Sequence, residues 1–94
     1  MTSASELNGK QVITTNAFNI GEVDGVEFDQ KTWQITDIHV KLTSEAAEEL
    51  DFKKRMLGHT IVLVPISTVK AVGHVITLAN STEELKNIAK PKKD

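Results

Sequence analysis

Three histidines, His39, His59 and His74, are the residues of this chain best suited to hold a metal or carry a proton near neutral pH. They fall on three separate segments, and none shares the i, i+3 or i, i+4 spacing that places two ligands on one helical face. His39 sits between Ile38 and Val40, which face inward, so strand alternation points its ring outward. His59 and His74 read as surface or turn histidines. The chain has no cysteine to supply a thiolate, and Ser44 and Ser67 stand in cap and turn contexts with no base placed beside them. Gly21, Gly25, Gly58 and Gly73 are dispersed, whereas a phosphate-cradling loop needs consecutive backbone amides before a helix. The residue types therefore imply no catalysis, no metal and no cofactor.

What remains is surface chemistry. Glu22, Asp24, Glu27, Asp29 and Asp37 are interspersed with apolar residues across two adjoining strand segments, giving one sheet face a negative character. Such a face is either plain solvation or a docking surface that steers a basic partner. Trp33, Phe18, Phe28 and Phe52 are the whole aromatic set. Trp33 stands at the mouth of a hairpin, where it caps the end of the core or, if exposed, becomes the leading binding hot spot. Lys86, Lys90, Lys92 and Lys93 collect near the carboxyl end, but four charges give weak, salt-sensitive attraction to anions. With net charge −2, no nucleic-acid partner is expected.

The 94 residues allow one domain, and a chain of this length buries only about 60–65% of the surface its unfolded form exposes. Lacking disulfides, it needs an efficient core or a partner that completes one. No apolar run reaches the length of a membrane span, and the amino end lacks the pattern of a signal peptide, so a cytoplasmic protein without membrane insertion is expected.

The elements that must position these residues follow from periodicity. Residues 1–8 are small and polar and read as a flexible leader, 9–89 as the domain, and 90–94 as a basic disordered tail that Pro91 keeps from continuing a helix. Short strands are predicted near residues 10–15, 20–28, 33–42, 60–64, 69–72 and 75–78. Between Val23 and Val26 the apolar parity flips around Asp24-Gly25, and it flips again around Thr36-Asp37 between Ile35 and Ile38. One inserted residue at each place restores a single inward face, which takes in Ile20, Val23, Val26 and Phe28, and paired bulges in adjacent strands curl a sheet. Residues 29–32 carry the turn chemistry of a hairpin. Ser44 caps a short helix that ends near the basic run Lys53, Lys54 and Arg55, with Gly58 as a stop. Ser81-Thr82-Glu83-Glu84 matches a capping box opening a terminal helix that runs to about Ala89.

The tally is mainly β: a small bent antiparallel barrel of five to six short strands, with one inserted short helix and a C-terminal helix. At this point the residues resemble a known family. Gly9-Lys10-Gln11-Val12, Ile20-Gly21-Glu22-Val23 and Thr32-Trp33-Gln34-Ile35 resemble the strand signatures of the PRC-barrel domain, named after the photosynthetic reaction centre H subunit. Residues 57–78, through Val64-Pro65-Ile66-Ser67-Thr68, are similar to the corresponding segment of stand-alone archaeal PRC-barrel proteins. The likeness extends from Asn8 to about Leu85. One departure is His74, where that group more often carries aspartate, a change that bears on a surface contact and not on the fold.

The resemblance implies a non-catalytic cytoplasmic module that binds proteins. It further implies an archaeal cell-division adaptor or scaffold, recruited to the division site, that associates with SepF, the adaptor tying the FtsZ ring to the membrane. A homodimer, a heterodimer with a paralogous barrel, or a filament of such units is expected. The alternative is a ribosome maturation factor, since the barrel is shared with RimM. Residues 60–64 are apolar on both parities, so either the inserted helix covers the excess through Ala47, Leu50 and Phe52, or a partner does. On the partner reading, Val62, Val64, Ile66, Trp33 and His74 are the interface candidates, and Val64→Asp abolishes association while leaving the monomer folded.

Overall fold

A computed structural model describes residues 4–52 and 60–91. The elements in order are α1 (Ala4–Leu7), β1 (Gln11–Ile13), β2 (Asn19–Phe28), β3 (Ile35–Leu42), α2 (Ser44–Glu49), β4 (Ile61–Pro65), a 3₁₀ turn (Ile66–Thr68), β5 (Val69–Val72), β6 (Val75–Leu78), α3 (Thr82–Ile88) and β7 (Lys90–Pro91). The strands form one sheet in the order β5-β6-β1-β2-β3-β4-β7.

That order forces the sheet to curl. β4 and β5 stand five strand spacings apart, about 24 Å in a flat sheet. Yet only the three residues of the 3₁₀ turn join them, a link that reaches at most about 14 Å. The two ends of the sheet must therefore come round toward each other, giving a small barrel in which β5 and β7 remain edges.

Both expected bulges are present and produce the bending. Val23 pairs with Val40 and Gly25 with His39, leaving Asp24 as the extra residue; Glu27 pairs with Asp37 and Phe28 with Ile35, leaving Thr36. The inward face then carries Ile20, Val23, Ile38, Val40 and Leu42, all buried, which join Val12, Val62, Val64, Ile76, Leu78 and Leu85 in one core. The edge strand β5 is also irregular, because its register shifts between Val69 and Ala71 and Lys70 is left over. A bulged, lysine-bearing edge resists strand addition.

The structure corrects the sequence reading in several places. The sheet is mixed, since β1 runs parallel to β6, with Gln11 opposite Val75. Residues 4–7 form a helical turn whose Leu7 is buried, in place of an unstructured leader, and Gly9 donates its backbone N–H to the Val23 carbonyl at 2.9 Å. Lys90 and Pro91 pair with Leu63 and Val62, so β-structure continues into the stretch expected to be a free tail. α2 is capped by Thr43, whose hydroxyl accepts from the Ala46 N–H at 3.0 Å, one residue before the expected Ser44. Lys53, Lys54, Arg55, Gly58 and His59 lie outside the described residues, as do Lys92 and Lys93.

Candidate functional site

Among the described residues three large apolar side chains are exposed, Val72 on β5 and two, Trp33 and Phe28, on the β2–β3 hairpin. Its loop is built by Asp29: the backbone carbonyl accepts from the Trp33 N–H at 2.6 Å, the Asp29 N–H donates to the Gln34 carbonyl at 2.8 Å, and the carboxylate accepts from the Lys31 N–H at 2.8 Å. Closing the loop this way puts Trp33 at φ 59°, the left-handed region normally left to Gly or Asn. The side chain is 72% exposed and Phe28, at the end of β2, is 44% exposed. A large aromatic held in a strained backbone conformation, with so little of its surface buried, contributes little to the stability of the barrel.

Three cross-strand pairs lead along the outer face to this tip. Glu22 lies opposite Lys41, with 3.1 Å between Oε1 and Nζ. Gly25 lies opposite His39, and the absence of a side chain on Gly25 leaves room for the imidazole: a Cβ there would stand 3.3 Å from Nδ1. The ring reaches diagonally to Glu27, with 2.7 Å between Nε2 and Oε1. Glu27 and Asp37 then face each other directly, a like-charge pair of the kind strands usually avoid. His39 occupies Glu27, but among the described residues Asp37 has no ion pair. Negative charge thus becomes less compensated on approaching the aromatic tip.

The sequence candidates fall on different elements. Trp33 is exposed at the loop, so it does not cap the barrel end. His74 is exposed in the turn between β5 and β6, and Ile66 is half-buried against the core. Val62 and Val64 are fully buried. Their side chains fill the barrel, which rules out the partner-facing role given to them, and it is the opposite parity, Ile61 and Leu63, that is part-exposed. His39 is likewise corrected: it points outward by parity, but it is only 8% exposed and is bonded to Glu27. Phe28, expected inside, stands at the open end of the barrel beyond the second bulge. Gly25 and Glu27 carried no signal as partners of His39, because the register that joins them depends on the bulge.

Among the described residues no group of three His, Asp or Glu side chains gathers as metal ligands, and no helix is long and apolar enough to cross a membrane. A cavity of about 310 Å³ lies near Gln11, Asn19, Glu22, Lys41 and Thr43, where its two charges neutralise each other.

The family model for the PRC-barrel domain matches residues 1–85 of the chain. No curated protein matches it.

Proposed function

This chain belongs to the PRC-barrel domain family, and from that premise we propose that it is a non-catalytic, cytoplasmic adaptor that binds protein partners through the tip of its β2–β3 hairpin. The observation that carries this reading is Trp33, an aromatic side chain left in water on a backbone conformation that favours glycine. The family resemblance of residues 57–78 supports the finer statement that the partners belong to an archaeal division assembly, a paralogous barrel and a SepF-like adaptor among them. The barrel pairs with a second copy or a paralogue as a dimer or a filament, through outward-facing residues and not through Val62 or Val64.

The experiment is affinity capture from the native cell lysate at physiological salt, with nuclease added and Trp33→Gly as the control. Recovery of a SepF-like adaptor and a second small barrel, lost with Trp33→Gly, is the expected result. Ribosomal proteins that persist after nuclease would instead assign the chain to ribosome assembly.

A further inference from the structure

We propose that the occupant of the hairpin tip is an extended basic segment of a protein partner, with an arginine stacked on the Trp33 indole and neighbouring basic residues set against Asp37 and Asp24. The proposal rests on the adaptor reading above and names the chemistry of its partner.

The geometry supplies each part of such a site. Trp33 presents an uncovered indole face, and a guanidinium stacks on tryptophan better than on any other ring. From Asp24 to Asp37 the hairpin carries four carboxylates, Asp24, Glu27, Asp29 and Asp37, against the single lysine Lys31. Two of the four are engaged internally, Glu27 by His39 and Asp29 by the Lys31 backbone N–H. Among the described residues Asp37 and Asp24 have no ion pair and are left to face an incoming cation. Asp37 has the greater need, because it lies directly opposite the Glu27 carboxylate, and a cation brought by the partner relieves that repulsion. The same carboxylates repel polyanions, so a nucleic acid or an anionic lipid surface is the wrong occupant. A neutral apolar peptide would cover Trp33 and Phe28 but leave Asp37 uncompensated.

The protein reports on its own binding, because Trp33 is the only tryptophan in the chain. The probe is a synthetic nonapeptide alternating arginine and serine, blocked at both ends, titrated into the full chain at low salt; a glutamate–serine nonapeptide is the control. A saturable change in Trp33 emission with the arginine peptide alone is expected, weakening about tenfold as salt rises from about 50 to 500 mM. Asp37→Asn is expected to weaken binding about threefold, on the scale of one exposed ion pair. Trp33→Gly, followed by anisotropy of a labelled arginine peptide, is expected to weaken it about 30-fold, as for a central anchor. A glycine suits the backbone at residue 33, so this variant separates loss of binding from loss of fold.

No saturable response to the arginine peptide, or an equal response to the glutamate peptide, overturns the proposal. So does Trp33→Gly reducing the sedimenting mass of the protein alone, because the occupant is then a second copy of this chain. If the arginine peptide fails while Trp33-dependent capture of partners from lysate persists, the basic occupant is wrong and the adaptor reading stands; if capture ignores Trp33, the adaptor reading at this tip falls with it.

Discussion

The imidazole of His39 lies over Gly25 and reaches Glu27, with 2.7 Å between His39 Nε2 and Glu27 Oε1, so one bulge, one missing side chain and one side-chain hydrogen bond fix the outer face of the hairpin together. The first prediction tests that dependence. Gly25→Val places a branched side chain where the ring now lies and is expected to lower stability by about 1–3 kcal/mol in urea unfolding, in spite of valine's preference for strands. Equal stability of the variant and the parent would show that the ring is free to move aside.

Glycines at different sites are expected to behave in opposite ways. Gly21 has φ 150° and packs so close to the backbone carbonyl of Lys41 that an added Cβ would overlap it. Neither backbone can yield without breaking the β2–β3 ladder, so Gly21→Ala is expected to cost more than about 3 kcal/mol. At Gly73 a Cβ meets nothing within 4 Å, and Gly73→Ala is expected to be neutral or to stabilise by up to about 1 kcal/mol through the unfolded chain. Thermal unfolding of the two variants side by side checks both.

Glu84 closes the capping box of α3. Its carboxyl is held below the usual carboxylate range first by the Ser81 backbone N–H, which donates to Oε1 at 2.9 Å, and then by the Ser81 hydroxyl. A carboxylate whose folded value is depressed stabilises the fold above its ordinary range, and that contribution is lost as pH falls through the folded value. Ser81→Ala removes the hydroxyl and keeps the N–H. Nuclear magnetic resonance titration of the Glu84 side chain is therefore expected to show its pKa moving part of the way back up.

Val64→Asp and Trp33→Gly separate the core from the surface. Val64 is fully buried in the apolar core, so aspartate there is expected to unfold the monomer, costing more than about 4 kcal/mol, and circular dichroism will show the loss. Trp33→Gly relieves a left-handed backbone while freeing the unfolded chain, two effects of similar size, and is expected to leave stability within about 1 kcal/mol of the parent.

The bulges were legible because apolar parity along a strand is a local signal: Val23 against Val26 and Ile35 against Ile38 each record one inserted residue. The capping box was legible for the same reason, since Ser81 and Glu84 are three residues apart. The direction of β4 was not, because Ile61, Val62, Leu63 and Val64 are apolar on both parities and only their partners on β3 and β7 decide which side faces in. Phe28 was misplaced because alternation locates a residue on a face but not along the barrel axis, and it stands where the barrel opens; Trp33 was placed at the hairpin mouth, with its exposure left for the structure to decide. The β1–β6 pairing and the short strand β7 depend on neighbours far away in the chain, and no short window of sequence contains both members of such a pair.

β1 lies between β2 and β6, so half of its hydrogen-bonding ladder is supplied by residues 75–77. During synthesis, at about 5–20 residues per second, the chain waits on the order of 3–12 s between making Ile13 and making Val75. The β2–β3–β4 meander pairs near neighbours in the chain, whereas the β1 flank that carries Val12 stays open until β6 has been made. The barrel is thus completed late, by its slowest kind of contact, the long-range pairing of Gln11 with Val75. A ribosome stalled before residue 75 holds an unfinished sheet.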